Sequence, residues 1–198
     1  SEYELLIKNN ITGNQVSSRT NIISGFSFFN FSSNYKFGFY NPSLPDSSKF
    51  KSKTIEWGKV DHGEIYQLDI RFNFKENGLL KSLVWSQPLE IFTGIAMQSK
   101  LEGVKFFNFL SKNISDDNIF EREFVSIDLV MTVGTEDLNT YIKVNEPITG
   151  IVQQRPQFTN INNGIGIFSS RYTHTDYGIG LTNDTEDYLI DELDINFQ

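Results

Sequence analysis

His174 stands two residues before Asp176 in the run Arg171-Tyr172-Thr173-His174-Thr175-Asp176-Tyr177. On a strand, side chains at i and i+2 leave the same face, so Asp176 would orient the imidazole of His174. With a hydroxyl from Ser169, Ser170, Thr173 or Thr175 as nucleophile, the group would have the parts of a hydrolase. Packing on a polar strand face explains the same residues without any chemistry. The other histidine, His62, lies in Asp61-His62-Gly63, a turn signal. A multi-histidine metal site would need both.

Carboxylates gather in Asn183-Asp184-Thr185-Glu186-Asp187, with Asp191, Glu192 and Asp194 following, and again in Ser115-Asp116-Asp117-Asn118. Calcium loops need oxygen ligands at fixed alternate positions, a central glycine and a closing glutamate, and neither run has that pattern. A solvated helix start and an acidic C-terminal face account for both. A carboxylate pair for glycoside hydrolysis is set by three-dimensional spacing, and nothing in the sequence singles one out. Asn163-Gly164-Ile165-Gly166-Ile167-Phe168 lacks the third glycine and the following helix of a nucleotide-binding turn, and reads as a hairpin with a close backbone approach. No Gly-x-Ser-x-Gly elbow, His-Glu-x-x-His pair or phosphate loop occurs. The absence of cysteine removes disulfides, cysteine zinc sites, iron–sulfur clusters and thiol nucleophiles. No catalytic residue, metal ligand or cofactor is therefore assigned, and ligand-binding residues stay undefined.

Seventeen basic against 25 acidic residues give a net charge of −8, which argues against a nucleic-acid or anionic-membrane footprint. The chain has 198 residues, enough for one domain with a proper core, and 38% of them are hydrophobic, too many for a disordered chain. No apolar run approaches the roughly 18 residues of a membrane-spanning helix. The sequence starts at Ser1 without a targeting segment, and is expected to be a mature or trimmed piece of a longer precursor, with any lipid-anchor cysteine upstream. Sequons at Asn10, Asn30, Asn113 and Asn183 are what an asparagine-rich chain gives by chance.

The elements that would position these residues alternate with a period of two. Tyr3, Leu5 and Ile7 form one set; Tyr66, Leu68, Ile70, Phe72 and Phe74 another; Val125, Ile127, Leu129, Met131 and Val133 a third. That pattern predicts strands with one dry and one wet face. Shorter strands are expected at 15–21, 26–31, 36–40, 54–57, 82–86 and 165–170, and a long mobile loop at 41–53. Helical spacing appears at 103–114, from a Thr135 N-cap to about Val144 before Pro147, and at 182–193. The expected fold over 1–198 is a single all-β domain, an antiparallel β-sandwich or barrel with a few short helical insertions. Trp57, Trp85, Tyr35 and Tyr40 could form a sugar- or protein-binding platform, although core packing is the commoner fate of such rings.

The run Phe158-Thr159-Asn160-Ile161-Asn162-Asn163-Gly164-Ile165-Gly166-Ile167-Phe168-Ser169-Ser170-Arg171 resembles a signature of uncharacterised Bacteroidota envelope lipoproteins, where a phrase like F-T/S-N-I-x-N-G-x-G-I/V-F recurs near the C-terminus. The opening Tyr3-Glu4-Leu5 strand, followed by Gln15-Val16-Ser17-Ser18, is similar to that family's edge-strand opening. The resemblance implies export, tethering to the outer membrane and a role beside TonB-dependent receptors or other barrels, with no catalytic residues to carry over. The family's lipidated cysteine has no counterpart here.

The leading expectation is a non-enzymatic outer-membrane-associated lipoprotein of the bacterial cell envelope. It would act as an accessory subunit of a TonB-dependent receptor or other barrel complex, with no cofactor and no nucleic acid. Contact with the membrane would come only through an upstream lipid anchor. A carbohydrate- or ligand-binding module of the cell surface is the alternative. A hydrolase built on His174 with Asp176 or on a carboxylate pair comes next, and an adhesin or fibre subunit last.

Overall fold

Strict alternation from Tyr66 to Phe74 produces an apolar stripe of five side chains, and it forms the spine of a sheet. The computed structural model describes residues 1–29, 34–87, 96–117, 119–146 and 157–198. The chain packs as two compact units, each assembled from three segments: 1–26, 59–66 and 132–173 in the first; 27–58, 67–131 and 174–198 in the second.

The first unit begins with a hairpin of β1 (Glu2–Lys8) and β2 (Gln15–Asn21), in register from Glu2↔Asn21 to Lys8↔Gln15. Its turn is closed by the Asn9 side chain, which accepts from the Ile11 and Thr12 amides at 2.9 and 3.1 Å, and by Gly13 at φ +77°. The other edge of β2 is bridged to Asn162, with Asn162 N–H donating to Ser17 O at 2.8 Å. That bridge leaves β1 as the outer strand. The tight turn at Asp61-His62-Gly63 is held by Tyr66, whose hydroxyl accepts from the Val60 amide at 3.1 Å. A Cβ on Gly63 would lie 2.7 Å from Val133 Cγ1 and 2.9 Å from the Tyr66 hydroxyl, so any larger residue would have to push one of them aside.

The second unit carries most of a five-stranded sheet ordered β3-β9-β8-β5-β6, and a separate antiparallel pair, β4 with β7. Here β3 is Lys36–Phe37, β4 Ser52–Gly58, β5 Ile65–Glu76, β6 Leu79–Gln87, β7 Ala96–Glu102, β8 Arg122–Gly134 and β9 Arg171–Leu181. Among the described residues three α-helices punctuate the strands, α1 (Gly103–Asn113), α2 (Glu136–Asn145) and α3 (Asn183–Asp191). The fold is all-β with short helical insertions, as the alternation requires; β3 and β9 add a parallel pair to the antiparallel ladders. Ile70 and Phe72 of β5, Ile127 and Leu129 of β8, and Ile55 and Trp57 of β4 are buried. Helix α1 lays Phe106 against Phe72, with ring centres 5.9 Å apart, and against Trp85 of β6 at 6.0 Å.

Arg122 is 1% exposed at the start of β8. Its Nε donates to Glu76 Oε2 at 3.0 Å, and its other nitrogens to Ser115 O, Ser115 Oγ and Ile195 O at 3.1, 3.2 and 2.7 Å. One buried cation thus ties β5, the segment after α1 and the C-terminal tail together, and each partner satisfies a donor that burial would otherwise strand. Further along, Lys75 meets Glu123, whereas Asn73 meets Ser126 and Asp128. Two residues back along β5 are matched by three along β8, which marks an extra residue, a β-bulge, between Glu123 and Ser126.

Several local expectations give way. Residues 165–170 form no strand: side-chain bonds from Thr159 and Asn160 replace a ladder. Only Phe28 of the 26–31 segment is bridged (to Trp57), and residues 30–31 lie outside the described set. The strand at 36–40 stops at Phe37, because Phe39 and Tyr40 turn their amides to Thr185 Oγ1 at 2.9 and 3.2 Å. The expected loop at 41–53 is pinned by Asn41 N–H to Lys49 O (2.9 Å), a turn of 3₁₀ helix at Asp46–Ser48, and the Tyr40 and Phe50 rings against Tyr188. Pro147, read as the stop of α2, lies outside the described residues.

Candidate functional site

Strand β9 does put His174 and Asp176 on one face, with His174 Nε2 3.1 Å from Asp176 Oδ1. The imidazole lies 5.7 Å from the ring of Phe28, which in turn meets Trp57 edge-on. The pair is half-buried over core aromatics. Its proposed nucleophiles serve elsewhere: Thr173 Oγ1 is bonded to Thr132 Oγ1 and Ser169 Oγ to Thr135 Oγ1, each at 3.0 Å, and Ser170 Oγ accepts the Ile23 amide at 3.0 Å. Thr175 leaves the opposite face of the strand. The arrangement orients an imidazole and packs it.

His62 adopts φ +64°, as its turn demands. With Glu2, Arg19, Glu64, Glu136 and Asp137 it lines a polar cleft of about 200 Å³, smaller than a pocket for an organic ligand. Asp137 is engaged by Asn160 Nδ2 at 2.8 Å, and Arg19 by Glu4 at 3.4 Å. Burial pushes the Tyr66 phenol up, and the Val60 amide pulls it partly back. Among the described residues no three His, Asp or Glu groups converge on a metal site. That covers the acidic run 183–194 and Asp116 with Asp117; Asn118 lies outside the described set. Thr182 caps the acidic start of α3, receiving the Glu186 amide at 3.0 Å on its carbonyl.

The four proposed platform aromatics are packed inward. Trp57 is fully buried, Trp85 stacks on Phe109 of α1, Tyr40 lies 4.4 Å from Tyr188, and Tyr35 sits edge-on to Phe37. The lipoprotein-like run 158–171 is a compact loop organised by two side chains. Asn160 accepts the Phe168 amide at 2.9 Å and donates to its carbonyl at 2.7 Å, acting as a strand partner, while Thr159 Oγ1 accepts the Gly166 and Ile161 amides at 3.1 and 3.2 Å. Asn163 takes a positive φ of 56° in its turn, and Ser18 Oγ donates to Asn160 O at 2.7 Å. The run therefore docks a loop on β2.

The chain matches no family model, no curated protein and no solved structure. Function must be read from its surfaces.

Two surfaces stand out. On the hairpin, Tyr3, Leu6 and Ile7 are 58, 58 and 55% exposed and Ile11 at the turn is 96% exposed, so apolar side chains cover both faces of an outer strand. On the second unit, a polar chain crosses four strands. Ser82 Oγ donates to Asn73 Oδ1 (2.6 Å), Asn73 Nδ2 donates to Asp128 Oδ2 (2.9 Å), and the Gly178 amide donates to Asp128 Oδ1 (3.0 Å). Arg71 approaches Asp128 at 3.7 Å and Ser86 donates to Asp69 at 2.6 Å. The network fixes this face against rearrangement, since every buried lone pair it names has a donor. Sequence reading missed it: alternation marks these positions as wet, but only the strand order brings Asn73, Asp128 and Gly178 together. No helix among the described residues is long and apolar enough to cross a membrane.

Proposed function

We propose that this chain is a non-enzymatic accessory subunit of the bacterial cell envelope, docking on an outer-membrane barrel such as a TonB-dependent receptor and tethered by a lipid upstream. The observation that carries the reading is the apolar outer strand, on which no described residue covers Tyr3, Leu6 and Ile7, with Ile11 at its turn. Large apolar side chains clustered on a strand whose outer edge carries no ladder among the described residues attract a partner surface or aggregate. The likeness of residues 158–171 to envelope lipoproteins supplies the compartment, and the net charge of −8 agrees with a partner other than nucleic acid.

The test is affinity purification of the native full-length protein from gently solubilised envelopes, followed by mass spectrometry. A stoichiometric outer-membrane barrel is expected, and is expected to be lost when Leu6 and Ile7 are both replaced by lysine. Recovery of the protein alone would remove the proposal and turn attention to sugar and small-ligand screens.

A further inference from the structure

The ends of the β1–β2 hairpin fix which backbone groups of β1 are used. Ile22 N–H donates to Ser1 O and Asn9 N–H to Asn14 O, each at 2.8 Å, so the odd-numbered residues between Ser1 and Asn9 bond to β2. The N–H and C=O groups of Glu2, Glu4, Leu6 and Lys8 therefore point away from β2, along the outer edge. Ser17, opposite Leu6, shows the same alternation on the far side of the hairpin, where its N–H and C=O are spent on Asn162. Among the described residues no segment bonds to the outer edge of β1.

A strand added to this edge must pair with those four residues, which limits the registers to steps of two. The edge fits itself in one of them. With a second copy antiparallel and Leu5 on the twofold axis, Glu2 lies opposite Lys8 and Glu4 opposite Leu6, each pair twice, and every outward group of the strand is used. Leu5 then meets Leu5, and Tyr3 meets Ile7, which are 58 and 55% exposed in the single chain. A register two residues away in one direction sets Glu4 against Glu4. In the other direction it keeps a Glu4–Lys8 pair but drops one bonded pair of the ladder. Parallel pairing in register stacks Glu2 on Glu2 and Lys8 on Lys8. Arg19 already answers Glu4 at 3.4 Å, whereas Lys8 has no ion partner among the described residues. Edges that resist self-pairing carry proline or a charge in mid-strand; β1 has no proline, and Leu5-Leu6-Ile7 follows Glu4.

We infer that β1 pairs edge to edge with β1 of a second copy, joining two hairpins into one four-stranded antiparallel sheet about a twofold axis. The pairing goes beyond the docking proposed above and rests on the same reading of β1 as a contact strand: the second copy closes the edge of the free protein, and a barrel in place takes it over. A seven-residue ladder is small for a tight dimer, so a dissociation constant on the order of 100 μM is expected.

Sedimentation equilibrium of the full chain from about 5 μM to about 1 mM is expected to show monomer and dimer in exchange. Hydrogen exchange supplies the signature. Over that range the amides of Glu4, Leu6 and Lys8 should slow, while those of Tyr3, Leu5 and Ile7, already bonded to β2, change little. Glu2→Lys and Lys8→Glu each set like charges opposite one another at both ends of the ladder, and each is expected to weaken the dimer about tenfold. An equimolar mixture of the two variants restores opposite charges at both ends and is expected to dimerise as tightly as the wild type, a rescue closed to variants that merely unfold the hairpin. A monomer throughout, self-association that leaves the even-numbered amides fast, undiminished pairing of the single variants, or no rescue in the mixture would overturn the inference. Neither substitution touches Tyr3, Leu6, Ile7 or Ile11, so both variants are expected still to recover the barrel. Recovery of the barrel without self-pairing, or self-pairing without a barrel, therefore separates the two proposals.

Discussion

Replacing Arg122 by methionine removes a buried cation while keeping most of its volume. The guanidinium is 1% exposed and holds Glu76, two carbonyls and a hydroxyl, so the substitution leaves Glu76 with Lys81 alone and strands Ser115 O and Ile195 O. Breaking a buried ion pair from one side costs about 3–5 kcal/mol, and the surviving Lys81–Glu76 bond places this case near the lower end, about 3 kcal/mol. At about 2–4 °C per kcal/mol for a chain of this size, the midpoint should fall by about 6–12 °C. Urea and thermal unfolding followed by circular dichroism would measure it, and the Arg122→Met/Glu76→Leu double variant should recover part of the loss, because the largely buried carboxylate that Arg122 had satisfied is then replaced by an apolar side chain. The pH dependence gives a second reading. Glu76 is held below the ordinary carboxylate range, first by Lys81 and then by Arg122. Its folded pKa is the lower one, so its contribution is complete above the unfolded value and is lost as pH falls through the folded value. The wild type should lose stability through that acidic window more steeply than Arg122→Met. A destabilisation under about 1 kcal/mol, with unchanged acid sensitivity, would refute the picture of Arg122 as the tie between β5, Ser115 and the tail.

Gly103→Ala would put a Cβ 2.5 Å from Phe39 O and 2.8 Å from Lys51 O, two backbone atoms that cannot swing aside, and should cost about 3 kcal/mol in urea unfolding. Asn160→Ala removes three bonds that shape the 158–171 loop; a loss of about 1–3 kcal/mol and faster hydrogen exchange at the Phe168 amide are expected. His174→Ala should leave any hydrolytic signal against ester and glycoside panels unchanged and lower stability modestly, through lost contact with Phe28; a hydrolytic activity that vanished with the histidine would restore the hydrolase reading.

The sheet was legible where one face is dry and something covers it. The Tyr66–Phe74 stripe became a buried strand face, as did Ile127, Leu129, Met131 and Val133 of the 125–133 stripe, whereas Val125 stays 42% exposed; the described α-helices start within a residue or two of their sequence signals. The same alternation at Tyr3, Leu5 and Ile7 gave a strand but no buried face, because alternation records that a face is apolar and not that a layer lies against it. Ala96–Glu102 and Arg171–Leu181 carry polar or glycine-rich texture and were not among the strands expected. β7 is fixed by its pairing with β4, and β9 runs on through Gly178, which takes a φ of +73° and donates its amide to Asp128. The 165–170 segment fails as a strand for a local reason: Asn160 and Thr159 satisfy its backbone first.

Of the candidate site residues, the His174–Asp176 pairing follows from i, i+2 geometry alone, whereas Arg122 with Glu76, and Asp128 with Asn73 and Gly178, depend on contacts more than 40 residues apart in sequence. A short-range pattern cannot report them. The platform aromatics illustrate the converse, since Trp57 and Tyr40 are conspicuous by type yet are used inside.

The most direct measurement is photo-crosslinking in living cells with a photoreactive amino acid placed at Leu6 or at Ile11 of the full-length protein. An envelope subunit docking through its bare outer strand should give one dominant adduct with an outer-membrane barrel, at both positions and in near-stoichiometric yield. Adducts that are absent, or spread over many unrelated proteins, would contradict docking through the hairpin.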